Sequence, residues 1–156
     1  MKSINANHQI LNAHYVTGLV DGEGSFCISV SPRSKLVTKW EVRPSFSVSQ
    51  NFRSRGVLYQ LKNFFGCGSV RESKSDRTWK YEVRSLDDLV QKIAPHFHKF
   101  PLKTAKRLDF EKFDQVLRLM KAGLHLEKKG LGEIFYLIRT MNPSGKRIYQ
   151  GLDLVK

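Results

Sequence analysis

The sequence predicts one α+β domain in which helices cover one face of an antiparallel sheet and leave the other face open. Three observations carry that reading. Apolar residues recur at helical spacing, then at every second position, and so on in the order helix, hairpin, helix, hairpin, helix, with further helices behind. In both hairpins the alternate positions are mostly Ser, Arg, Lys or Glu, so only one side of the sheet belongs to a core. The 156 residues suffice for one such core and are too few for two. Residues 1–156 are therefore expected to form a single domain, its core over about 9–120 and C-terminal helices and a tail over 121–156.

From about Gln9 to Asp21, Ile10, Leu11, Tyr15, Leu19 and Val20 fit a short helix, and Gly24 suits the left-handed position that closes many helices. The period then becomes two. Phe26, Ile28 and Val30 point one way and Cys27, Ser29 and Ser31 the other, as far as Pro32, which marks a strand end. Val42, Pro44, Phe46 and Val48 alternate with Glu41, Arg43, Ser45, Ser47 and Ser49 up to Gln50. Val57, Leu58, Leu61, Phe64 and Phe65 restore a helical stripe, halted at Gly66-Cys67-Gly68. Ser69–Glu72 and Trp79–Arg84 flank a polar turn and make the second hairpin. Leu86, Leu89, Val90 and Ile93 predict a helix finishing near Ala94, since Pro95 disfavours helical backbone before it. Leu108, Phe110, Phe113, Leu117 and Met120 mark a longer helix over about Thr104–Ala122. Leu131, Ile134, Phe135 and Ile138 mark the last one, and the tail from Asn142 reads as loop.

Lys and Arg number 27 against 14 Asp and Glu, a formal charge of +13, which calls for a polyanionic partner or an acidic membrane. The cations do not gather on an amphipathic helix and no long apolar run is present, so membrane is set aside and nucleic acid remains. Cys27 and Cys67 are too few for a disulfide framework or a zinc site and are expected as thiols in a reducing compartment. His96 and His98 lack further ligands nearby and are expected at the surface. The first nine residues lack the apolar stretch of a signal peptide, and no Arg precedes Arg33. The expected setting is intracellular: a bacterial or archaeal cytoplasm, or a chloroplast or mitochondrion that itself encodes the chain.

Chemistry concentrates between Tyr15 and Ser25. Gly18 and Gly22 stand at i and i+4, and a helix face without Cβ atoms there admits close approach of a second backbone. Glu23 falls in the last helical turn, where the carbonyl end of the helix opposes a carboxylate by about 0.3–1 kcal/mol unless positive charge sits beside it. No Lys or Arg occurs from Ser3 to Pro32, so that charge must come from elsewhere, and a divalent metal would supply it.

Val16-Thr17-Gly18-Leu19-Val20-Asp21-Gly22-Glu23-Gly24 resembles the LAGLIDADG motif of homing endonucleases, with Thr17 and Gly22 replacing its alanines and Glu23 its aspartate. The β-β-α-β-β order that follows fits the same fold, and the resemblance runs from about Gln9 to Met120. It implies a saddle-shaped antiparallel sheet and a site-specific DNA endonuclease. With one motif in the chain it also implies a homodimer, joined along the motif helices through Gly18, Leu19, Asp21 and Gly22. By position, Glu23 and its symmetry mate would hold Mg²⁺ or another divalent cation, helped by the Gly22 carbonyl, and staggered cuts in a long near-palindromic duplex would follow. Gln50 would order water near the scissile phosphate and Lys103 would steady its developing charge. An Arg after that glutamine is expected in the site; Arg53 is the candidate and Arg55 stays open. The exposed strand faces would read the major groove through Ser29, Ser31, Arg33, Lys35, Arg43, Ser45, Ser47, Arg71, Ser73, Lys80 and Glu82. The alternatives on the same scaffold are a splicing cofactor that holds intron RNA and a DNA-binding regulator without chemistry; an intact Glu23 favours cutting.

Overall fold

The computed structural model describes residues 10–141; the N-terminal nine residues and the tail from Asn142 lie outside them. Helix α1 (Ala13–Glu23) leads into strands β1 (Gly24–Pro32) and β2 (Trp40–Asn51). A 3-10 turn at Phe52–Ser54 precedes α2 (Gly56–Phe65), and β3 (Ser69–Ser73) and β4 (Thr78–Val83) form the second hairpin. The strands make one antiparallel sheet in the order β1-β2-β4-β3. Behind it come α3 (Leu86–Asp88), a π-helical segment (Leu89–Ile93), α4 (Ala94–Lys99), α5 (Lys106–Lys121) and α6 (Lys128–Arg139). The α+β reading and the order of elements hold.

Alternation along the strands decides which face is covered. Phe26, Ile28, Val42, Phe46, Val48, Tyr81 and Val83 are buried, and α1, α2, α4, α5 and α6 bring Val20, Leu61, Phe97, Phe113 and Ile134 against them. Phe26 is the aromatic hub: it stacks on Phe46 with centroids 5.3 Å apart and meets Phe97, Phe110 and Phe113 at 5.4, 5.2 and 5.3 Å. Aromatic contacts of this kind add about 0.5–1.5 kcal/mol each beyond area burial. Because Phe26 lies three residues after Glu23, the hub also fixes where α1 ends.

Several local expectations are corrected. The first helix starts at Ala13, because the Asn12 side chain accepts the His14 N–H at 2.8 Å and caps it; Ile10 is 88% exposed ahead of the cap. Gly24 is extended, with φ −80°, and a Cβ there would stand 2.5 Å from Val20 Cγ1 and 2.7 Å from the Val20 oxygen. It is a glycine for want of space, not for handedness. Gly66, with φ 66°, is the left-handed cap, closing α2. The helix before Pro95 does not stop at Ala94. Its π segment sends the Ala94 N–H back to the Leu89 carbonyl, and this wider turn lets the proline, which has no N–H to give, sit in the first turn of α4. Leu108 is 59% exposed and outside the core stripe of α5, where Val116 joins Phe110, Phe113, Leu117 and Met120.

His96 is not a surface residue. It is half-buried, with Phe64, Phe65, Phe97 and Phe100 around its ring. The buried Thr17 donates its hydroxyl proton to the Phe100 carbonyl at 2.9 Å, so it accepts from His96 Nε2 at 3.1 Å and selects the neutral Nε2–H tautomer. Burial, with the nearby His14 adding repulsion, pushes the His96 pKa down to about 4. The unfolded chain therefore takes up a proton near pH 6.5 that the folded chain refuses until about pH 4. Stability is full above about pH 6.5 and declines as the pH falls towards 4; discounted for partial exposure, this amounts to about 1–2 kcal/mol. Urea unfolding at pH 7 and pH 4.5 should show that loss in the native chain, and a His96→Phe variant should lack it.

Candidate active site and nucleic-acid interface

α1 buries Val16, Thr17 and Val20 and leaves its other side open. Tyr15, Gly18 and Gly22, at i, i+3 and i+7, lie along that side, while Leu11 precedes the Asn12 cap and packs against the core. Tyr15 is 53% exposed, Leu19 is half-buried beside it, and nothing lies within 4 Å of where a Cβ of Gly18 or Gly22 would stand. At Gly18 and Gly22 the helix presents a small-residue face on which none of the described residues packs.

Glu23 ends the helix, exposed. The positive charge its position demands is present in the chain itself: Lys106, at the start of α5, donates from Nζ to the Val20 carbonyl at 2.9 Å. Burial pulls the Lys106 pKa down, and the charges of Asp21, Glu23 and Asp109 only partly restore it. Asp21 is turned to the same connection. Its Oδ2 accepts the Lys103 N–H at 2.7 Å, and its Oδ1 accepts the Thr104 N–H and hydroxyl at 3.2 and 2.7 Å. Burial alone would raise the Asp21 pKa, but these hydrogen bonds and Lys106 outweigh it and hold the carboxylate below its ordinary value. Asp21 thus clamps the α4–α5 connection onto α1 within one chain, and Lys103 contributes its amide there while its side chain is exposed.

Gln50 sits two residues past Val48, which pairs with Gly24, so the sheet register carries Gln50 alongside the end of α1. It shares the core-facing side of β2 with Phe46 and Val48 and lies opposite Trp79. The two arginines that follow are placed differently. Arg55 lies over the Phe52 ring at 3.7 Å and the Trp79 ring at 5.4 Å and donates to the Phe52 carbonyl at 3.3 Å. Arg53 is exposed, with no hydrogen bond or ion pair among the described residues. Aromatic contacts occupy Arg55 and leave Arg53 the available one.

The open face of the sheet carries, by register, Ser29 beside Arg43, Ser25 beside Ser47, Ser47 and Ser69 on either side of Glu82, and Lys80 between Ser49 and Arg71. Ser31, Ser45 and Ser73 are on the same side, and Arg33 and Lys35 lie in the turn that joins β1 to β2. Arg33 pairs with Glu41, Arg43 donates to Ser31 at 3.3 Å, and Glu82 is held between Arg71 and Arg84. Lys80 has no such partner among the described residues.

A family model described as LAGLIDADG endonuclease matches residues 16–117. The chain belongs to the LAGLIDADG endonuclease family. Solved structures agree: the chain is similar to the homing endonuclease I-TnaI, with 41% identity and a TM-score of 0.81 over 85% of this chain and 88% of that one. It is also similar to I-SmaMI bound to an uncleaved DNA target in the presence of calcium ions, with 38% identity and a TM-score of 0.83 over 85% of this chain and 45% of that one. Among named relatives, a probable intron-encoded endonuclease 3 of Neurospora crassa is 32% identical over 81% of this chain and 24% of its own length. The homing endonuclease I-ApeII of Aeropyrum pernix is 33% identical over 70% of this chain and 64% of its own. The chain spans 24% and 29% of the two Neurospora proteins it matches, a quarter or so of each.

For a LAGLIDADG endonuclease the metal question is one of donor count. Among the described residues no three of His, Cys, Asp and Glu gather where one ion could take them. One chain offers the Glu23 carboxylate and the last-turn carbonyls, Gly22 among them, which have no following N–H in the helix. Mg²⁺ accepts one or two protein carboxylates and fills its octahedron with water and phosphate, so it fits two such helix ends brought together. No helix among the described residues is long and apolar enough to cross a membrane.

Proposed function

We propose that this chain acts as a homodimeric, magnesium-dependent, site-specific DNA endonuclease that makes staggered cuts in a long, near-palindromic duplex. The observation that carries it is the end of α1, where an exposed acid, a partly buried lysine and an uncovered stripe of small residues meet. Two α1 helices packed through Gly18, Leu19 and Gly22 set two Glu23 carboxylates side by side, and Mg²⁺ held there would activate water and stabilise the leaving oxygen on each strand. The minor groove is about 6 Å wide, within reach of neighbouring acids. The chain's own cations complete the site. Lys106 holds positive charge at the helix end as negative charge develops on the phosphate, Gln50 orients water, and Arg53 and Lys103 bind the phosphate backbone. Arg33, Lys35, Arg43, Arg71 and Lys80 of the sheet and its turn meet the duplex, with Ser29, Ser31, Ser45, Ser47 and Ser73 contacting bases directly or through water.

Replacing Lys106 with Met keeps the aliphatic stem and removes the charge. Single-turnover cleavage should fall about 10²-fold, while filter-binding affinity for the same duplex changes less than fivefold. The proposal as a whole is tested by selecting duplexes from a randomised library on the purified chain and adding Mg²⁺. Double-strand cuts with staggered ends are expected only with the metal. Preferential retention of structured intron RNA, with no cutting of the selected duplexes, would overturn it.

A further inference from the structure

We infer that Glu82 is a positioning residue for base recognition, which fixes the Arg71 and Arg84 guanidinium groups so that this part of the sheet selects guanine. The inference rests on the reading of the open sheet face as the surface that meets DNA. Glu82 is on that face by register, opposite Ser47 on β2 and Ser69 on β3. Its side chain is 11% exposed, while those of Arg71 and Arg84 are 52% and 70% exposed. With both its oxygens hydrogen-bonded to exposed guanidiniums, the carboxylate is far less accessible to a base amino group than the guanidiniums are to a base acceptor. The guanidiniums are what the face presents.

Glu82 Oε1 accepts from Arg84 Nη2 at 3.2 Å, and Oε2 takes Arg84 Nε at 3.2 Å and Arg71 Nη2 at 3.1 Å. Arg84 and Arg71 therefore each spend one N–H group in a hydrogen bond to the acid, with Arg84 Nε facing it as an ion pair, and each keeps a pair of parallel donors for a further acceptor. Guanine offers O6 and N7 together on its major-groove edge, the bidentate match to an arginine fork. The carboxylate also removes the rotamer freedom that an exposed arginine would lose on binding, and it weakens attraction to phosphate by balancing one charge. Both effects favour base reading over backbone binding.

The register also places the pair along the target. Glu82 is in the same cross-strand row as Ser47 and Ser25, and Ser25 is two residues beyond Glu23. Two strand spacings, about 10 Å, separate β1 from β4. The guanines selected here are then inner positions of each half-site, near the cut, and the Arg33–Glu41 pair at the β1–β2 turn serves outer ones.

The experiment is selection from a randomised duplex library with the native chain, Glu82→Gln and Arg84→Met, followed by sequencing, with thermal melting of each protein alongside. Glu82→Gln should melt like the native chain and lower guanine enrichment about tenfold at one symmetric set of inner positions, and Arg84→Met should relax a position within that same set. Enrichment unchanged in Glu82→Gln, or lowered evenly at every position, would overturn the positioning role. A native chain that enriches no sequence would remove the reading of the sheet as a sequence-selective DNA surface, and the role of Glu82 with it.

Discussion

Glu23→Gln should bind its duplex as the native chain does and fail to cut it. The amide matches the carboxylate in size and in its place at the end of α1, so packing is unchanged; what disappears is the full negative charge beside Lys106. A single-turnover rate lowered at least about 10³-fold corresponds to about 4 kcal/mol of lost transition-state stabilisation. Fold is separable from chemistry here. A carboxylate at a helix C-terminus is unfavourable by about 0.3–1 kcal/mol, so the neutral variant should be no less stable, the gain partly offset by the lost attraction to Lys106. Affinity should hold or rise, because a negative charge facing phosphates is gone. Cutting within tenfold of the native rate would remove Glu23 from the mechanism.

The parts of this site that were legible in the sequence are those set by nearest neighbours along the chain. Period two in Phe26, Ile28 and Val30, and again in Val42, Pro44, Phe46 and Val48, gave both the strands and the open face, since a strand buried on one side has no other way to be written. Glu23 was visible because its electrostatic difficulty is local. Lys106 was not, although it answers that difficulty: it reaches the Val20 carbonyl across 86 residues of sequence, and period analysis cannot say which turn of α5 will dock on which end of α1. The one available signal was the run without cations from Ser3 to Pro32, which demanded charge from elsewhere without naming its source. Lys103 entered only through the family resemblance, and its amide on Asp21 is a backbone contact that side-chain identity does not encode. Pro95 misled for a related reason. A proline stops an α-helix only if the turn before it is α-helical, and here that turn is a π segment with Leu89 and Ile93 buried, which period analysis does not distinguish from an α-helix.

Gly18→Leu should leave a folded chain that sediments as a monomer and neither binds its full site tightly nor cuts it. Among the described residues there is open space where the new side chain would go, since none of them lies within 4 Å of a Cβ at this position. Replacing a helix-interior glycine also stabilises the helix by about 0.5–1 kcal/mol, so urea unfolding of the variant should show no loss. Only a second helix laid along the Gly18 and Gly22 face would meet the leucine, and an added four-carbon side chain at a close helix crossing costs about 1–3 kcal/mol or more, felt by both protomers. Cleavage should fall at least about 100-fold, because a lone helix end supplies too few donors for the metal. Gly24→Ala provides the contrast. Its Cβ would strike Val20 Cγ1 and the Val20 carbonyl inside one chain, so it should lower the stability of the fold itself by about 1–3 kcal/mol and displace the carbonyl that Lys106 holds. A Gly18→Leu chain that still sediments as a dimer and cuts would place the protomer contact elsewhere, and an unstable Gly18→Leu chain would mean that the open stripe is covered from within.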